Sequence, residues 1–138
     1  MPPSQTLSFQ GALGAYSHLA CADFRPGAAV YPCVDFAQAI QAVHDGHAHL
    51  ACLPVDNSIA GRVADMHLLL PQSKLRIVAE TFLPIHHCVL ARAGSTLSDI
   101  RHVHSHVHAL PQCRDYIRQK GWQAHVASDT AAAAFWTG

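Results

Sequence analysis

An unbroken apolar run that leads into a polar, glycine-bearing turn constrains the fold of this chain more than any other feature. The run, Leu50–Leu53, shows no polar alternation, which predicts a central parallel strand covered on both faces. The turn follows, and apolar residues then recur at helical spacing, namely Val63, Met66 and Leu70. We therefore predict a strand, a binding turn and a helix that Pro71 ends.

The residues before this stretch predict the first half of an α/β sheet. Two short apolar segments, 6–10 and 28–33, are typical of strands, and each is followed by a helical pattern. Asp35 is placed as an N-cap and Gly46 as the residue that follows a helix. The order is βαβαβ. Open sheets of this kind bind ligands at the carboxyl ends of their strands, where free N–H groups of a helix start favour an anion.

The residues after Pro71 predict a second lobe. We place the crossing near Pro84, which gives a first α/β lobe at 1–83 and a second at 84–138. Its elements are strands at 87–91, 101–104 and 123–127, a helix at 108–120 stopped by Gly121, and a helix at 131–136 capped by Asp129 and Thr130. An α/β pattern calls for another strand at that point. We therefore expect the second lobe to be truncated before its return strand, leaving an unpaired edge that favours homo-oligomers.

The composition excludes several classes of protein. Of 138 residues, 50% are hydrophobic and 13% charged, which excludes a disordered chain. Nine basic residues balance nine acidic ones, so we expect neither nucleic acid nor a membrane surface as partner, but a small molecule. Met1–Gln10 lacks the pattern of a signal peptide, and no apolar stretch reaches the roughly 20 residues of a membrane span. These observations predict a cytoplasmic protein.

The cysteines and histidines do not clearly predict a disulfide framework, a thiol nucleophile or a metal site. The five cysteines form no CxxC pair, which favours buried free thiols over disulfides, and no His or Asn partner identifies a thiol nucleophile. Four histidines alternate, namely His102, His104, His106 and His108. An uninterrupted strand would place them on one face as a possible metal site. The helix expected near His108 breaks the row, which contains no Cys or carboxylate, so we predict no metal.

Four turns share one design, in which a strand end is followed by a small or hydroxyl-bearing residue and then a helix. They are 14–17, 57–61, 105–109 and 129–131. Any one of them is typical of ordinary caps and turns. Four together favour a cleft that holds carboxylates without an excess of Lys or Arg. Asp56 is interpreted as an orienting or capping group, Glu80 as a second nearby carboxylate, and Arg62 as either a carboxylate ligand or an exposed helix residue.

The same stretches resemble the prephenate dehydratase family, in register over essentially the whole chain. The matching segments are Phe9–Gly11, Gly14–Ser17, Ala42–Val43 with Gly46, Leu53–Val63, Ile77–Glu80, Ser105–His106 with Ala109–Leu110, and Asp129–Ala132. The resemblance implies an α/β two-lobed fold like that of type II periplasmic binding proteins. It also implies the conversion of prephenate to phenylpyruvate with loss of carbon dioxide and water, on the route to phenylalanine. No cofactor is implied.

Carried over position by position, the resemblance implies a set of residues that bind the substrate. They are Asn57, Ser58, Gly61, Ser105, His106, Asp129, Thr130, Ala131 and Ser17. The sequence departs from the family pattern at Asp56, where Glu is usual, and at Val107 and His108, where Pro and Gln are usual. The catalytic Thr of the family's Thr-Arg-Phe triplet is expected beyond the chain end, because no Thr-Arg pair occurs here.

The departures leave two further functions open. One is a non-catalytic carboxylate-binding or regulatory module that kept the cleft without the catalytic Thr. The other is a histidine-rich metal binder. An arogenate preference within the same reaction class also stays open, since one or two pocket contacts would decide it.

Overall fold

The computed structural model describes residues 5–127, and within them the chain is a mixed α/β protein with parallel sheets. It divides into two compact units, with the boundary between Ile85 and His86. The first unit contains five strands and three helices, and the second contains two strands and one helix, counted over residues 5–127. Each unit is described by itself below.

A three-stranded parallel sheet forms the centre of the first unit. Its strands are β1 (Leu7–Gln10), β2 (Val30–Cys33) and β3 (Leu50–Cys52), in the order β2-β1-β3. The register pairs Leu7 with both Val30 and Leu50. Among residues 5–127 the middle strand is β1, and β3, which we expected to be central, pairs with β1 on one side. The apolar run of β3 reflects cover from the helices, whereas its position depends on pairing with residues far away in the sequence.

Two helices connect these strands and supply the core. Helix α1 (Tyr16–Phe24) buries Cys21 against Leu7 and Phe9 of the central strand. Helix α2 (Phe36–His44) packs Ala39 and Ala42 against the other side, with Cys33 and Ala48. Asp35 caps α2 as predicted, since its carboxylate accepts the Gln38 N–H at 2.7 Å. The buried Ser8 hydroxyl donates to the Ala39 carbonyl at 2.6 Å and so joins β1 to α2.

The segment after β3 differs from the prediction in two respects. A small antiparallel hairpin, β4 (Asp56–Asn57) and β5 (Gly61–Arg62), stands where we expected the turn to enter a helix directly. Helix α3 (Ala64–Ser73) then continues two residues past Pro71. Proline has the φ of a helix and disrupts mainly the turn before it. The Ser73 hydroxyl donates to the Leu70 carbonyl at 2.7 Å, and the helix ends there with Lys74 in the left-handed region at φ 60°.

Residues 74–92 form neither helix nor strand, so the predicted strand at 87–91 was wrong. An apolar pattern does not make a strand unless the backbone finds a partner, and none of the described residues pairs with this segment. Within the first unit, the Thr81 hydroxyl lies 3.1 Å from a carboxylate oxygen of Asp23 and tethers the segment to α1. Several large apolar side chains here are exposed, including Ile77, Val78 and Phe82.

The second unit is a βαβ arrangement. Strand β6 (His102–His106) and strand β7 (Gln123–Ala127) run parallel, and α4 (Leu110–Lys120) crosses between them. Gly121 ends α4 at φ 68°, as predicted. Trp122 is buried and meets Tyr116 of α4 edge to face, with ring centroids 5.7 Å apart. No helix within residues 5–127 is long and apolar enough to cross a membrane.

Candidate substrate-binding site

The strand order of the first unit defines a place for a ligand. The chain leaves β1 toward β2 on one side and returns to β3 on the other, so β1 and β3 form the point where the strand order reverses. Open α/β sheets bind their ligands at the carboxyl ends of such a strand pair. Two predicted segments leave the sheet there, the loop from Gly11 to Ser17 after β1 and the hairpin after β3.

The hairpin is organised by the side chain of Asn57. Its amide oxygen accepts the N–H of Ile59 at 2.9 Å and the N–H of Ala60 at 2.8 Å. These bonds close the turn as an Asx-type motif, in which a short side chain replaces a backbone acceptor. Two N–H groups of the turn are therefore already bonded, and the helix start that we expected at this place lies at Ala64, after the hairpin.

The other predicted residues of the hairpin are exposed. Ser58 stands at the tip, and Gly61 has φ 82° with nothing within 4 Å of where a Cβ would lie. A flat substrate group can therefore approach the backbone at Gly61 without meeting a side chain. Arg62 is exposed and stands opposite Asp56 in the register of the hairpin, not on a helix.

Ser17 lies on the same edge of the sheet. It is the second residue of α1 and is half-buried, and the turn before it passes through Gly14 at φ 91°. The Gly14 N–H donates to the Nδ1 atom of His18 at 2.9 Å. The His18 ring also stacks on the buried Phe9, with centroids 5.7 Å apart. The turn that carries Ser17 is thus held against the core.

In the second unit, Ser105 and His106 are the last residues of β6, whereas we expected this strand to end at residue 104. Both are half-buried. The Nδ1 atom of His106 accepts the His108 N–H at 3.3 Å, and the His106 carbonyl accepts the Ala109 N–H at 2.9 Å. A neutral imidazole that accepts at Nδ1 carries its proton on Nε2. Helix α4 follows only at Leu110.

Three predicted site residues, Asp129, Thr130 and Ala131, lie outside the described residues. Asp56 and Glu80 are both exposed, and nothing in their described contacts brings the two carboxylates together. A surface cavity of about 250 Å³ beside α2 contains none of the predicted residues. Its lining groups are partly engaged with each other, since Gln41 Nε2 donates to Asp45 at 2.8 Å.

One feature near the site was not predicted, a pair of thiols that links α1 to β3. Cys21 is buried, and Cys52 is half-buried at the carboxyl end of β3. A hydrogen bond from the Cys21 thiol lowers the pKa of Cys52, and the same interaction together with burial raises the pKa of Cys21. The cysteine count suggested buried thiols, but their pairing depends on how α1 packs on the sheet.

Comparison with known proteins identifies the family of this chain. The family model described as prephenate dehydratase matches residues 7–137. The chain belongs to the prephenate dehydratase family. A relative named as a bifunctional N-acyl-homoserine lactone acylase/prephenate dehydratase, from Komagataeibacter europaeus, is 50% identical over 97% of this chain and 48% of its own length. A chloroplastic arogenate dehydratase/prephenate dehydratase 1 from Arabidopsis thaliana is 41% identical over 93% of this chain and 33% of its own length.

Solved structures of this family share the fold. A prephenate dehydratase from Arthrobacter aurescens, in complex with L-Phe, superposes with a TM-score of 0.85 at 31% identity, over 96% of this chain and 45% of that one. The mixed α/β architecture with parallel sheets thus matches a known prephenate dehydratase. The present chain spans about half, or less, of the length of these relatives. Their names do not favour the non-catalytic module that we considered as an alternative.

Proposed function

We propose that this chain binds prephenate and acts as a prephenate dehydratase, forming phenylpyruvate for phenylalanine biosynthesis. The observation that carries the proposal is the Asn57 hairpin, a rigid polar turn at the strand-order reversal of a chain from this family. The reaction consumes one proton and one prephenate dianion, and it releases carbon dioxide, water and the phenylpyruvate anion. The protein must hold two carboxylates and deliver a proton to the departing hydroxyl.

The residues proposed to bind the substrate are neutral or open donors, described for each unit by itself. In the first unit, Asn57, Ser58 and Ser17 provide side-chain polar groups, and Gly61 provides open backbone. In the second unit, Ser105 and His106 provide polar side chains at the end of β6. The family pattern adds Asp129, Thr130 and Ala131. Neutral donors suit a carboxylate that must leave as carbon dioxide, because a bidentate Arg would stabilise the charged starting form.

Several broader expectations belong to the same proposal. The two lobes at 1–83 and 84–138 would adopt the arrangement of type II periplasmic binding proteins, and the protein would act in the cytoplasm as a homo-oligomer. Nucleic acid and membranes are not proposed as partners, since nine basic residues balance nine acidic ones. Prephenate, a small dicarboxylate, is the proposed substrate, and no cofactor is proposed.

Phenylpyruvate formation from prephenate by the purified chain tests the proposal. We expect turnover that Ser105→Ala greatly reduces and that heat-denatured protein lacks. Arogenate, offered in parallel, reports which of the two substrates the pocket prefers. Binding of prephenate without turnover would limit this chain to holding the substrate. A folded chain that neither binds nor converts prephenate or arogenate would overturn the proposal.

A second candidate function is hydrolysis of N-acyl-homoserine lactones, which the name of the 50% identical relative favours. The amide bond would be cleaved by water to a fatty acid and homoserine lactone. Offering an N-acyl-homoserine lactone in the same assay and measuring the released amine tests it. Release above the heat-denatured control supports this activity, and its absence at protein concentrations that convert prephenate rejects it.

A further inference from the structure

Three histidines of the second unit form a cluster across the two parallel strands. His104 of β6 stands opposite His125 of β7, and their rings stack with centroids 4.8 Å apart and planes 18° from parallel. His102 lies two residues before His104 in β6, and its ring also contacts the ring of His125. Its Nδ1 atom lies 3.0 Å from the Nε2 atom of His125. All three side chains are exposed, so an ion can reach them from solvent.

The distance between the two nitrogens suits two ligands of one metal ion. Nitrogens bound to a single Zn²⁺ at about 2.0–2.1 Å lie roughly 3 Å apart when the angle between the bonds is near 90–110°. The same separation also fits a hydrogen bond between neutral rings, in which one nitrogen carries the proton. Binding one ion requires that proton to move to the outer nitrogen of its own ring and both rings to turn until their lone pairs converge on the ion.

We propose that His102 and His125 bind one divalent transition-metal ion, with water at its remaining positions. Neutral imidazole is a good ligand for Cu²⁺, Ni²⁺ and Zn²⁺, and the general affinity order places Cu²⁺ above Zn²⁺. Within residues 5–127 no three His, Cys, Asp or Glu side chains are placed to share a metal, so the described residues supply two ligands. This proposal is independent of the proposed activity toward prephenate.

His104 is assigned a positioning role. Its ring lies almost parallel to that of His125, so it supports the orientation of that ring without facing the ion. A bound ion would also cross-link β6 and β7 at residues 23 positions apart in the sequence. Since the folded chain holds this geometry and the unfolded chain does not, binding stabilises the second unit.

Titration of the purified, metal-free chain with Cu²⁺ and Zn²⁺ tests the proposal, by calorimetry and by thermal unfolding. We expect saturable binding, tighter for Cu²⁺, and a rise in the melting temperature. His102→Gln and His125→Gln should each weaken binding by about tenfold or more and remove most of the thermal shift. His67→Gln, which removes an exposed histidine of α3, is the matched control and should bind as the unchanged protein does.

His104 and the fold provide the remaining controls. His104→Phe keeps a stacked ring and should retain binding, whereas His104→Ala should weaken it. In the unchanged protein, Cu²⁺ should broaden the NMR signals of the His102 and His125 rings before those of other histidines, a result that needs no variant to fold. Binding that survives in both His102→Gln and His125→Gln, or an absence of binding by the folded chain, would overturn the proposal.

Discussion

At the scale of single residues, Asn57 holds the hairpin and is also proposed to bind the substrate. Its amide oxygen closes the hairpin through two backbone N–H groups. In the proposed function the same residue binds the substrate. Alanine removes both roles, whereas aspartate keeps an acceptor for the turn and replaces the amide N–H donor with negative charge. The two substitutions therefore separate stability from binding.

We expect Asn57→Ala to lower the free energy of unfolding by about 1 kcal/mol, since the turn loses the acceptor of two hydrogen bonds in a partly exposed setting. Asn57→Asp should unfold at nearly the same denaturant concentration as the unchanged protein. Urea unfolding followed by circular dichroism measures both. Equal stability of all three proteins would show that the side chain does not hold the hairpin.

A second prediction at this scale concerns pH and Cys33. Burial raises the pKa of this thiol above its ordinary value of 9.0. The folded chain then keeps the proton at a pH where the unfolded chain releases it, so stability falls as the pH rises beyond about 9. Cys33→Ala should reduce the loss of melting temperature between neutral and alkaline pH. Cys88→Ala, at an exposed cysteine, is the control and should leave the pH dependence unchanged.

At the scale of elements, the sequence predicted the features that depend on interactions between residues close together in the chain. Asp35 and Gly121 act through bonds within a few residues, and both caps were predicted correctly. The pairing of β3 with β1 was not predicted, because it joins residues more than 40 positions apart. The hairpin was missed because two-residue strands carry no periodic pattern. Helix α3 ends at Ser73, whose hydroxyl donates to the Leu70 carbonyl, and no sequence pattern predicts this hydrogen bond.

The helix ends permit a paired prediction. Lys74 ends α3 at φ 60° and Gly121 ends α4 at φ 68°, a conformation that costs a side chain roughly 1 kcal/mol. Lys74→Gly should therefore raise the free energy of unfolding by several tenths of a kcal/mol, and Gly121→Ala should lower it by about 1 kcal/mol. Thermal unfolding measures both. Effects of the same sign would contradict the role assigned to this backbone conformation.

At the scale of the whole molecule, the family and the candidate turns were predictable because several short motifs recur in register along the chain. The site itself was predicted less completely. We expected Asn57 and Ser105 in turns that follow strands and lead directly into helices, whereas both lie in strands and the helices begin only at Ala64 and Leu110. Each unit has its own α/β arrangement, and each carries one polar strand end from the family pattern.

The central claim is that these strand ends bind prephenate, and a calorimetric titration of the purified chain with prephenate tests it most directly. We predict saturable binding, weakened about tenfold or more by Asn57→Asp and by Ser105→Ala. Ser98→Ala, at an exposed serine of the second unit outside the proposed site, should bind as the unchanged protein does. A folded chain that shows no binding, or whose affinity neither Asn57→Asp nor Ser105→Ala alters, would contradict the account.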